Sequence, residues 1–180
     1  YRRYMLFTFL AVLGFAPFPL IGFHLASQHV VSDATVPLIF ALAMAVDALV
    51  ALVTGRIYDR RGLQVLIVVP FATVAVLLAF TNTPWMVWLG AAFWGGAMGL
   101  QESTLRAAVA DMIPGPKRGT AYGVFNALYG FALLGGSAAM GALYGVSVPL
   151  LVGFVAFAEL LAALSGVGML RAGETRTLPQ

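Results

Sequence analysis

Of the 180 residues, 61% are hydrophobic and 9% charged, with a mean hydropathy of +0.94 and a formal charge of +3. A water-soluble domain carries about 25% charge and has no need of so much apolar surface, so the composition argues against a soluble enzyme or nucleic-acid-binding domain and for a multi-spanning membrane protein. The sequence has no cysteine, which removes disulfide and thiol chemistry.

Each helical span needs about 20 apolar residues, and six segments fit: roughly 4–26, 35–55, 64–81, 85–112, 119–145 and 148–170. The first begins just after Tyr1, where an initiator Met is missing, which suggests that the chain starts inside a longer gene product. No small-residue cleavage site follows this segment, so it reads as a span and not as a signal peptide. Pro17 and Pro19 interrupt it. The second segment runs into the charged hinge Gly55-Arg56-Ile57-Tyr58-Asp59-Arg60-Arg61-Gly62. Asn82-Thr83-Pro84 forms a tight turn after the third, and the rigid basic loop Pro114–Gly119 separates the fourth from the fifth. A polar tail, 171–180, follows the sixth.

With six spans, all ten Lys and Arg residues fall at or near one side: Arg2, Arg3, Arg56, Arg60, Arg61, Arg106, Lys117, Arg118, Arg171 and Arg176. The loops on the other side carry none. The positive-inside rule then predicts that both termini and the 171–180 tail are cytoplasmic. Trp85 and Trp88 fall at the outer interface, and Tyr1, Tyr4 and Tyr58 at the inner one, as aromatic belts do. The fold class expected is an all-α membrane bundle. Its two three-helix halves, 1–81 and 82–180, each open with an interrupted helix: Pro17 and Pro19 in one, Gly95, Gly96 and Gly99 in the other. Paired interruptions are the signature of a three-plus-three inverted repeat.

The hinge has local physical reasons. Gly55 allows close helix approach, Gly62 permits a turn that a Cβ resists, and Asp59 suits the free N–H groups of a helix N-terminus. Arg60 and Arg61 can reach lipid phosphate or pair with acids. The pattern Gly55-x-x-x-Asp59-Arg60-x-Gly62 resembles the loop signature of the major facilitator superfamily, which follows the second helix of each six-helix half. Leu63 and Gln64 stand where the family continues with basic residues, so the degenerate second copy is the better match. The stretch Arg106–Pro114 and the run Arg118-Gly119-Thr120-Ala121-Tyr122-Gly123 resemble the region between the tenth and eleventh helices of bacterial members. The resemblance covers essentially the whole chain. It implies the C-terminal six-helix half of a transporter that rocks two halves about a central site. The partner it implies is an N-terminal half, missing or separate, or a second copy of this chain.

Ionisable groups inside a bilayer are costly and mark function by default. Asp47 and Glu159 fall near the midplane and are candidates to carry a coupling proton, because burial disfavours the charged carboxylate. The competing reading for each is a neutral acid bonded to a neighbouring helix. Glu102 and Arg106 lie four apart on one helical face, in the favourable order. With the hinge residues Gly55, Asp59, Arg60 and Gly62, and with Asp111, they make a candidate cytoplasmic gate. The resemblance implies a substrate path along the first and fourth helices, with candidates His24, Gln28, Trp94 and Gln101, joined by Asn126 and Tyr129 from the fifth. For His24 the plainer reading is a hydrogen-bonded interface residue, and for Trp94 it is packing. Gly119/Gly123 and Gly141/Gly145 are spaced for close helix crossing.

Two histidines and scattered acids make no metal site, and no Ser-His-Asp set lies at matching depths. The glycines of 130–145 follow no strand and so make no phosphate loop. No enzyme activity, cofactor, metal or nucleic-acid partner is expected. The expected function is proton-coupled secondary transport of a small molecule across a bacterial inner (plasma) membrane. The alternative is a non-transporting membrane subunit built on half of such a fold.

Overall fold

The computed structural model describes residues 1–174, with side chains through Arg171. The described residues are almost entirely helical: α1 Arg2–Leu13, α2 Phe18–Ser27, α3 Val36–Arg61, α4 Val68–Ala75, α5 Pro84–Met112, α6 Arg118–Val146 and α7 Val148–Glu174. Proline stands in the first turn of α2, α3 and α5, where its missing N–H costs nothing and its fixed φ suits the helix. Four stretches are apolar and long enough to cross a membrane among the described residues: Arg2–Ser27, Asp33–Phe80, Gly115–Val146 and Val148–Arg171. The second of these is 48 residues long, enough for two passes of about 20 residues.

Several segments differ from the sequence reading in ways that have local causes. The first, read as one helix over 4–26, is α1 and α2 with a break at 14–17. Pro17 and Pro19 withhold the N–H groups that would cap the carbonyls of Leu13 and Phe15. The second helix runs on through the hinge to Arg61, so the hinge is the last two turns of α3 and not a loop. Gly62 caps it at φ 55°, ψ −138°, a conformation that needs glycine. The third segment is not a uniform helix: 3₁₀ turns at Gly62–Ile67 and Val76–Phe80 flank the short α4. α7 extends to Glu174, and the tail beyond it lies outside the described residues.

The glycines of α5 do not interrupt it. They form the face on which the core closes. A Cβ at Gly95 or Gly99 would run into the backbone carbonyl of Ala43 or Asp47 on α3, and one at Gly90 into the backbone of Ala79. α5 is therefore the central post, with α3 against one side and the Val76–Phe80 turn against another. Thr54 and Ser103 join α3 to α5 by a hydroxyl pair at 2.8 Å. Gly55 has no such role: a Cβ there would meet nothing within 4 Å. The same holds for Gly119, Gly123, Gly141 and Gly145, so no neighbour among the described residues uses their small size.

Two apolar cores fill the bundle. One, at the arginine-bearing end, is built around Tyr4, Phe7, Leu66, Leu105 and Phe125. The other, toward the opposite end, is built around Phe15, Ile21, Ile39, Trp94 and Met140.

Candidate functional site

The break between α1 and α2 is irregular backbone within the first apolar stretch, and three helices pack against it. Trp94 of α5 donates its indole N–H to the Ala16 carbonyl at 2.8 Å and stacks on Phe15, with ring centroids 5.5 Å apart. Gly136 of α6 lies against the Leu13 carbonyl so closely that a Cβ there would collide with it. Glu159 of α7 sits opposite Gly14, where a Cβ would collide with its Oε1. Trp94 therefore donates to backbone at the break and packs on Phe15.

Glu159 is 1% exposed, and both carboxylate oxygens are buried without a hydrogen-bond partner. Burying such a group unpaired is expensive when it is ionised. Asp47 is half-buried on α3, with Oδ1 buried and unpartnered beside the Gly99 crossing. Gln101 is also 1% exposed, and neither end of its amide finds a partner. All three are candidates from the sequence and are set into apolar helices.

The remaining path residues lie at the end of α2 and on α6. His24 is buried near the end of α2, with Nδ1 3.0 Å from the Tyr144 hydroxyl, which in turn lies 3.2 Å from Ser27 Oγ. His24 Nε2 is buried and unpartnered. Gln28 and Asn126 are exposed, and Tyr129 is half-buried against Phe125.

At the arginine-bearing end lies a cavity of about 330 Å³ lined by Tyr58, Asp59, Gly62, Ala107, Ala110 and Asp111. Tyr58 donates its hydroxyl to Asp111 Oδ2 at 2.9 Å, tying α3 to α5. The gate residues are thus divided. Asp59, Gly62 and Asp111 share the cavity, whereas Glu102 and Arg106 are not among its lining residues. Three arginines at this end donate to backbone carbonyls. Arg56 donates to the Leu52 carbonyl at 3.1 Å, Arg118 to that of Ile113 at 3.0 Å, and Arg3 to that of Gly168 at 2.9 Å. Arg60 is exposed. Tyr58 and Tyr144 escape sequence reasoning, because their partners lie 53 and 120 residues away and no local pattern marks them. Among the described residues, no group of three or more His, Cys, Asp or Glu could hold a metal ion.

No solved structure matches the chain significantly. Among curated proteins, it is 48% identical over 157 residues to uncharacterized protein Rv2265 of Mycobacterium tuberculosis (strain H37Rv) and to uncharacterized protein Mb2288 of Mycobacterium bovis. Those alignments cover 87% of this chain and 38% of each relative, so the chain spans well under half the length of the proteins it matches. The family model for the Major Facilitator Superfamily matches residues 4–179, nearly the entire chain. With its apolar helices, its glycine-capped charged helix end and this match, the chain belongs to the major facilitator superfamily.

Proposed function

We propose that this chain is the C-terminal six-helix half of a secondary active transporter, a three-plus-three inverted repeat. It moves a small molecule across a bacterial inner membrane by alternating access, coupled to protons. Both termini are cytoplasmic in this reading, which rests on the gathering of the basic residues at one end. The observation that carries the coupling is the seating of Glu159, an unpaired carboxyl 1% exposed within an apolar helix. A passive scaffold has no need of that desolvation cost. Asp47 is the second proton candidate. Gln101 and Asn126 are the groups that orient substrate in an aromatic, apolar pocket completed by the other half. Asp59, with Asp111 and the Gly62 turn, governs closure at the cytoplasmic end.

The test is flux in proteoliposomes of the full-length protein, with an imposed pH gradient and a panel of amphiphiles and small metabolites. At least one solute is expected to dissipate the gradient. Glu159→Gln or Asp47→Asn abolishes that coupling, and Asp59→Asn lowers the rate while leaving membrane abundance intact. Gradient-independent behaviour with every solute contradicts the reading and favours a non-transporting subunit.

A further inference from the structure

The break at 14–17 brings two opposite helix ends together. α1 ends in carbonyls, and α2 begins after four intervening residues with its N-terminal N–H groups. Trp94 already satisfies Ala16, whereas Pro17 and Pro19 leave the carbonyls of Leu13 and Phe15 without their helical donors. Against this junction lies one ionisable side chain, Glu159, fully buried and unpartnered. A neutral carboxylic acid is a hydrogen-bond donor and suits the carbonyl end of α1. An ionised carboxylate is an acceptor only, and is favoured near the N-terminus of α2. Glu159 Oε1 lies against Gly14 in the break, and the kind of partner it favours changes with one proton.

We infer that Glu159 is a proton-operated latch on the α1–α2 break: neutral, it holds the break packed against Gly14, and ionised, it opens the break toward water and the α2 N-terminus. The step is a proton transfer between the carboxyl O–H and water, with no other reactant. Its site is the junction of α7 with the Gly14–Pro17 turn, and its ligand is the proton. The device supplies the coupling step of the transport reading and rests on that reading for its consequence, though not for its geometry.

Competing charges are distant. Of the elements packed against α7, α4 and the Gly62–Ile67 turn carry no ionisable side chain. On α1 the ionisable groups are Arg2, Arg3 and Tyr4, at least ten residues from Gly14, or about 15 Å along the axis. On α6 they are Arg118, Tyr122, Tyr129 and Tyr144. The Arg118 guanidinium is bonded to Ile113, the Tyr122 hydroxyl to the Arg106 carbonyl, and Tyr129 packs on Phe125. The Tyr144 hydroxyl faces His24 and Ser27.

Spin labels at Leu6 on α1 and Phe23 on α2, 53% and 59% exposed, report the bend without entering either core. In the full-length protein in lipid, the inter-label distance is expected to change between pH 5 and pH 9. In Glu159→Gln it is fixed at the low-pH value, and in Asp33→Asn, which removes an exposed acid outside the candidate site, the change persists. Infrared difference spectra of the wild-type protein, which do not depend on any variant folding, should lose one buried-carboxyl carbonyl band in step with the distance change. A constant wild-type distance, a pH response retained in Glu159→Gln, a distance change without loss of that band, or a shift driven by Na⁺ at fixed pH overturns the latch. A responsive break in a protein without flux contradicts transport and leaves the latch standing. Coupled flux with an unresponsive break does the reverse.

Discussion

Trp94 shows what a single side chain does in this bundle. Its indole N–H serves the Ala16 carbonyl in place of the Leu20 N–H, which bonds the Pro17 carbonyl instead, and its ring fills the space between Phe15 and Phe18. Trp94→Phe keeps much of the ring packing and orphans the Ala16 carbonyl, so a loss of about 1–3 kcal/mol is expected. Thermal unfolding in detergent measures it, and an unchanged melting temperature would mean that this hydrogen bond contributes nothing to stability. His24 and Tyr144 form the corresponding tie near the far end of α2. A double-mutant cycle of His24→Phe and Tyr144→Phe should show a coupling of about 0.5–1.5 kcal/mol. Additive effects would mean that the 3.0 Å contact contributes nothing.

At the scale of elements, glycine has three distinct uses, and a substitution series separates them. Gly95 admits the α3 backbone, so Gly95→Ala forces α3 away from α5 and is expected to cost about 1–3 kcal/mol. Gly62 holds a left-handed φ, so Gly62→Ala costs about 1–3 kcal/mol through strain alone, since a Cβ there meets nothing. Gly153 on α7 has neither constraint, and Gly153→Ala should be neutral or stabilise by up to about 1 kcal/mol. Melting temperatures of the three variants in one detergent test that order, and equal losses in all three would contradict it. The sequence makes these elements legible to different degrees. The apolar runs outline the helical segments, and the Pro17/Pro19 pair marks the break. The Gly62 turn is also readable, because few residues other than glycine take that backbone. What the α5 glycines do is not readable: spacing alone cannot tell an interrupted helix from a close crossing, and only the position of Ala43 and Asp47 on α3 decides it. Likewise Trp94 and Ala16 are 78 residues apart, and His24 and Tyr144 are 120 apart, so their pairing belongs to tertiary structure.

On the whole-molecule scale, the distribution of exposure is uneven. In the stretch Gly115–Val146 only 17% of the most apolar window is buried within this chain, against 44% for Arg2–Ser27. α3 likewise presents Leu38, Leu49, Leu52 and Val53 outward. Lipid can cover such faces, but Asn126 stands exposed on α6, about 12 Å from the start of that helix, where lipid offers no hydrogen bond. In the transport reading the other half covers these faces, and a water-filled path runs past Asn126. The absence of cysteine from this chain makes the test clean once any others in the full-length protein are removed. The most direct measurement is alkylation of Asn126→Cys in the full-length protein by a membrane-impermeant maleimide, applied from each side of oriented proteoliposomes, with the pH gradient imposed in each direction. Alternating access predicts labelling from one side under one gradient and from the other side when the gradient is reversed. Labelling from neither side, or from the same side under both gradients, would contradict it.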